Sequence, residues 1–169
     1  GIDPWFCIPH QVEDDYVRQF AALVKNSLAP NLKAYIEYSN EVWNGQFAQA
    51  GYAQARGLAL GLSANAYEAQ LRFYSQRAVE IFKICEEVFQ DRARFVRVLA
   101  AQSANAWSGT TVMDWKNAIQ HADALAIAPY FETERYEVVK SESGWCNEIT
   151  AQDLETAVNA MQEEARVKT

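Results

Sequence analysis

Histidine, cysteine, proline and glycine are all scarce in this 169-residue chain, at 2, 3, 4 and 7 residues. The three cysteines (Cys7, Cys85 and Cys146) are far apart, lack metal-ligand spacing, and have only His10 and His121 to join them. No metal site and no cofactor is therefore expected, and the thiols read as buried or incidental. At most one disulfide could form among the three, which leaves the redox compartment open. No Gly-x-Ser-x-Gly elbow, Gly-x-x-x-x-Gly-Lys loop or Gly-x-Gly-x-x-Gly fingerprint occurs, so nucleophilic-serine, P-loop and dinucleotide chemistries lose their usual carriers. Positive charge is also in deficit. Fifteen basic against 22 acidic side chains leave a net charge of −7, which argues against a nucleic-acid partner. No apolar run approaches the roughly 20 residues of a membrane-spanning helix, and no signal-peptide pattern opens the chain. It begins at Gly1 rather than Met, as a piece of a longer protein would.

Half of the residues are hydrophobic, with no repeat, linker or low-complexity tract, so the whole of 1–169 is expected to fold as one α/β domain. Trp5 to Pro9 is a short apolar run stopped by proline, as in a buried strand. From Asp14 to Leu28, Tyr16, Val17, Phe20, Leu23 and Val24 recur at helical spacing behind two N-terminal acids. A second strand is expected from about Lys33 to Ser39. A short helix, broken or whole, should follow within 46–60, and Ser63 looks like the cap of a long helix ending near Phe89. Its stripe of Leu71, Tyr74, Ala78, Ile81, Phe82, Cys85 and Phe89 is core-forming. A third strand is expected over 94–101, then a helix over 111–120 with Val112, Trp115 and Ile119 on its apolar face, then a fourth strand over 124–128. The loop of 132–149 is polar, and Thr150 with Asp153 opens a last helix in a capping-box pattern. The order β-α-β-α-α-β-α-β-α implies parallel β/α units.

Functional residues of such folds gather where strands end. The richest strand end is Tyr35-Ile36-Glu37-Tyr38-Ser39-Asn40-Glu41-Val42-Trp43-Asn44. An amide suits sugar hydroxyls, an indole suits apolar ring faces, and an acid can move protons. The other strand ends offer Trp5, His10 and Gln11; then Gln102, Ser103, Asn105 and Trp107; then Tyr130. Without a sugar role, Glu41 would be a solvated loop acid and Asn40 a helix cap. Glu37 and Arg97 lie inside neighbouring apolar strands, where an unpaired charge is costly, so they are expected to form an ion pair.

Asn40-Glu41 at a strand end, with Trp43 just beyond, resembles the acid/base signature of glycoside hydrolase clan A, retaining enzymes on a (β/α)8 barrel. The resemblance runs from about Asp3 to Glu164 and aligns these strands with barrel strands three to six. It implies a partial TIM barrel of about four strands with flanking helices, since a whole barrel needs about 250 residues. It also implies Glu41 as general acid/base and Asn40 as the amide beside the cleaved bond, with Tyr130 placed to contact the nucleophile. Trp43, Asn44, His10 and Gln102 join the expected sugar-binding set, and an oligosaccharide or polysaccharide is the expected partner. The nucleophile of this clan lies at the end of strand seven, which has no counterpart here, and Glu132, Glu134, Glu137, Glu142 and Glu148 show no spacing that favours a substitute. The chain alone is thus expected to be inactive. An open arc has unpaired edges, so self-association through them is also expected. The alternatives are a carbohydrate-binding module that stacks sugars on Trp43, Trp107 and Trp145, or an α/β domain of unrelated function.

Overall fold

The computed structural model describes residues 1–128. Tyr130, the acids of the 132–149 loop, Trp145, Cys146 and the helix expected from Thr150 lie outside the described residues, as does the far part of the single-domain expectation. Four parallel strands form one sheet in the order of the chain: β1 (Trp5–Ile8), β2 (Ala34–Tyr38), β3 (Phe95–Ala101) and β4 (Ala124–Ile127). Between them run α1 (Asp14–Ser27), α2 (Ala48–Ala59), α3 (Ala66–Phe89) and α4 (Ala106–Asp114), with short 3-10 turns at Arg92–Arg94 and Trp115–His121. The expected β/α alternation holds through β4. No described helix is long and apolar enough to cross a membrane.

Helix α1 forms for the reasons its pattern suggests. Val17, Ala21 and Val24 are buried at helical spacing, with Asp14 and Asp15 in the first turn and Lys25 in the last, each complementing the helix dipole. The 46–60 segment is one unbroken helix, α2. It packs closely on α3 through Gly57, where an added Cβ would stand 2.1 Å from the Ala69 carbonyl oxygen. The cap of α3 is Asn65 rather than Ser63, its side chain accepting the Glu68 N–H at 2.9 Å. Ser63 sits one step further out, its hydroxyl accepting the Asn65 N–H and donating to the Glu68 carboxylate. Helix α3 ends at Gln90 in a left-handed conformation, φ 59°.

The helix expected over 111–120 is displaced. Helix α4 starts at Ala106, where the Ser108 hydroxyl ties its first turn by accepting the Gln102 N–H and donating to the Asn105 carbonyl. It stops at Asp114 because Lys116 and Asn117 turn left-handed, at φ 49° and 57°. Val112 is buried as expected, but Ile119 is half exposed. Trp115 lies beside the Arg72 guanidinium, 4.7 Å from its ring centre.

Register sorts the side chains of the sheet onto two faces. Phe6, Ile36 and Arg97 share one row, while Cys7, Glu37 and Val98 share the next, facing the other way. The helices cover the first face: Phe6 meets Phe20 of α1 edge-on, Tyr38 stacks on Tyr74 of α3, and Phe95 meets Phe89. A strand order that never reverses puts successive right-handed crossovers on one side. The expected Glu37–Arg97 ion pair therefore does not form. The two residues project from opposite faces, and Arg97 instead binds Glu86 and Asp123, each at 2.8 Å.

The β2–β3 ladder ends at Glu37 and Val98, whereas β3 and β4 stay paired to Ala101 and Ile127. Beyond that end the fully buried Tyr74 enters, its hydroxyl accepting the Ala100 N–H at 2.7 Å. The backbone donor that a longer β2 would have engaged is thus satisfied by a side chain.

Candidate active site

The segment after β2 is shaped by two left-handed residues, Ser39 (φ 60°) and Glu41 (φ 46°). Such conformations are costly for residues with a Cβ and persist only when neighbours impose them. Here the neighbours are amides. Gln70, buried at the start of α3, donates to the Val42 carbonyl at 2.6 Å, and Gln49 donates to the Asn40 carbonyl at 2.7 Å. Asn44 closes the turn, since its N–H reaches the Glu41 carbonyl and its side-chain oxygen accepts the Gln46 N–H. The Asn44 amide also donates to Glu41 Oε2 at 3.2 Å. Glu41 is thus positioned by backbone turn and side-chain amide together.

On the face away from the helices lies a concave pocket of about 370 Å³, which reaches from the start of β1 to the C-terminal ends of β2, β3 and β4. Trp5 and Cys7 line it from β1, Glu37 from β2, and Asn40, Glu41 and Trp43 from the turn. Ala100, Ala101 and residues 126–128 complete the wall from β3 and β4. Among the expected site residues, Asn40, Glu41 and Trp43 therefore come together. Asn44 stands behind Glu41 rather than in the lining. His10 does not line the pocket; its carbonyl accepts the Tyr38 hydroxyl and its ring meets Tyr52 edge-on at 5.3 Å. Gln102 is likewise outside the lining, with its N–H spent on Ser108. Trp107, half exposed on α4, lies against Tyr67 at 6.0 Å between ring centres.

Glu37 is the pocket residue whose role was misjudged from the sequence. It is 6 % exposed, and its Oε2 accepts the Trp5 indole N–H at 2.9 Å. Trp5 is itself stacked on Tyr35, 5.4 Å away and nearly parallel. Burial pushes the Glu37 carboxyl up to about 7; the Trp5 bond opposes that rise and the charge of Glu41 adds to it. The Cys7 thiol is also raised, first by burial and then by the Glu37 charge. Strand alternation was the available signal, because it places Glu37 on the side towards which Glu41 reaches.

The pocket thus combines two carboxyl groups in unlike surroundings, one amide and two indoles. Among the described residues its lining holds no lysine, arginine or histidine, and no three His, Cys, Asp or Glu side chains are grouped to hold a metal ion. Such a set can bind hydroxyl groups, stack on sugar rings and exchange protons. Comparison with protein-family models, curated proteins and solved structures returns no match.

Proposed function

We propose that this chain is an arc of a (β/α)8-barrel glycosidase of the clan A type, with Glu41 as its general acid/base. The observation that carries the reading is the meeting of Asn40, Glu41 and Trp43, from the turn after β2, in one pocket with the C-terminal ends of β3 and β4, which Trp5 at the start of β1 also lines. The C-terminal ends of strands are where barrel enzymes hold their chemistry. The unreversed strand order, with helices on one face and the pocket on the other, supports the same architecture.

In this reading Glu41 protonates the departing glycosidic oxygen and then deprotonates the water that completes the second step. Asn40 bonds the hydroxyl beside the cleaved linkage, Trp43, buried in the core, backs the wall, and the half-exposed Trp5 offers the ring a stacking face. Retention needs a second, ionised carboxylate about 5–5.5 Å from the first. Glu37 is a poor nucleophile because burial favours its neutral form. The 169-residue chain is therefore expected to bind glycans without hydrolysing them, and glycan cleavage by the purified chain would count against that. Self-association through the outer edges of β1 and β4, which pair with no further strand among the described residues, belongs to the same reading, and light scattering checks it.

Tryptophan fluorescence titrated with a panel of oligosaccharides tests the site, since two of its walls are indoles. Saturable binding weakened about tenfold or more by Glu41→Ala supports it. Absence of binding to any oligosaccharide would remove the sugar reading and leave only the α/β fold.

A further inference from the structure

The floor of the pocket is a carboxyl group that the proposed chemistry does not use. One oxygen of Glu37 is fixed by the Trp5 indole. The other accepts no hydrogen bond from the described residues, and it is not among their buried unpartnered atoms, so it opens onto the pocket it lines. The groups facing this carboxyl are the Cys7 thiol at the paired position of β1, Glu41 from the turn, and the Tyr74 hydroxyl from α3. None brings a positive charge. Arg97 of β3, the nearest candidate by sequence, is committed on the opposite face to Glu86 and Asp123.

We propose that Glu37 forms a hydroxyl-binding subsite on the pocket floor that accepts uncharged sugars and rejects acidic ones. This rests on the sugar-site reading above and adds a substrate class to it. The polarity follows from the wiring. With Oε2 occupied as an acceptor for Trp5, a protonated Glu37 carries its proton on Oε1 and donates it to a ligand oxygen. Burial favours that protonated form. A uronate, phosphate or sulfate would add a further negative charge beside two carboxyl groups, with no cation in the described lining to offset it. Ala100, Ala126 and Ala128 offer an anion no side-chain donor either.

Glutamine reproduces the pattern of the protonated acid: its oxygen accepts from Trp5 and its amide donates to the ligand. The test measures binding of neutral gluco-, manno-, xylo- and galacto-oligosaccharides, and of their C6-oxidised uronate counterparts where C6 exists, between about pH 5.5 and 8.5. It compares the unmodified chain with Glu37→Gln and Glu37→Leu. The expected result is neutral ligands bound at least about tenfold more tightly than uronates, with affinity falling severalfold as pH rises through the upper half of that range. Glu37→Gln should keep the low-pH affinity at every pH, and Glu37→Leu should lose about tenfold throughout. Uronates bound as tightly as neutral sugars, or full affinity in Glu37→Leu, would overturn the subsite while leaving the sugar reading intact. Failure of every sugar to bind every variant would overturn both. Should a substitution prevent folding, seen by circular dichroism, the unmodified chain's pH profile and neutral-to-uronate ratio decide the matter.

Discussion

Arg97 holds Asp123 along one edge of its guanidinium. Nη2 bonds Oδ1 at 2.8 Å and Nε bonds Oδ2 at 3.0 Å, while the Arg97 backbone N–H adds a third bond to Oδ2 at 2.8 Å. Arg92 binds the same carboxylate from the preceding turn, at 2.7 Å. Because Asp123 immediately precedes β4 and Arg97 belongs to β3, this clamp sets where β4 begins against its neighbour.

Loss of the clamp should be visible in acid. Burial opposes ionisation of Asp123, but the bonds from Arg97 and Arg92 outweigh it and hold the carboxyl well below its usual range. A folded-state value below the unfolded one gives stability that is complete above about pH 4 and drains away as pH falls further. Asp123→Asn should cost about 1–2 kcal/mol at neutral pH, a figure reduced because a third of the side chain meets solvent. The variant should also show a shallower acid decline, measured by urea denaturation from neutral pH to about pH 2.

Glu37 produces the opposite slope. Its folded-state value of about 7 lies above that of an unfolded glutamate, so the unfolded chain loses its proton first and stability falls as pH rises between the two values. The penalty levels off above about pH 7 at roughly 3 kcal/mol. Glu37→Gln cannot ionise, and should be the more stable protein at about pH 8 and nearly equal to the unmodified chain at about pH 4. Equal melting temperatures at both pH values would refute this.

Helix propensity and packing make contrary demands at Gly57. Replacing an interior helical glycine by alanine ordinarily stabilises by about 1 kcal/mol. Here the new methyl would lie 2.1 Å from backbone of α3, which cannot retreat as a side chain could. Gly57→Ala should therefore destabilise by about 2–3 kcal/mol, read as a lower denaturant midpoint with an unchanged m-value.

The cysteines supply a footprint of the pocket. Cys7 is exposed and lines it, whereas Cys85 is buried in α3 with its thiol pushed up to about 12 by burial, assisted by Glu86. Iodoacetamide at about pH 8.5 should modify Cys7 in the folded protein and reach Cys85 only after unfolding. A bound oligosaccharide should slow the Cys7 reaction severalfold. Mass spectrometry of the labelled peptides reads both outcomes, and indifference of Cys7 to every sugar that binds would move the ligand elsewhere.

All four described strands were legible in the sequence to within about two residues, because runs such as Phe95-Val96-Arg97-Val98-Leu99 have few competing readings. Helices α1 and α3 declared themselves by their stripes. The start of α4 did not, since Ala106, Trp107 and Ser108 carry no stripe, and the left-handed Lys116 and Asn117 leave no local mark. The turn bearing Asn40, Glu41 and Trp43 stood out by residue type. What locks it, Gln49 and especially Gln70, 28 residues beyond Val42, did not. Glu37 and Arg97 were misjudged for a related reason: alternation within a strand can be counted, but register between strands is set by tertiary packing. His10 matched the strand-end pattern, yet it serves Tyr38 through its backbone, a role indifferent to its imidazole.

Ile36 and Glu37 are chemically bonded neighbours that face opposite ways, one among the helices and one on the pocket floor. Demands of folding therefore act at one position and, if the proposed sugar site holds, demands of the ligand act at the next. Under the proposed sugar-site reading, the pocket side can change what it binds while the helix-covered side stays fixed, so divergence along β2 should alternate, with drift at every second residue marking a change of ligand rather than decay of the scaffold.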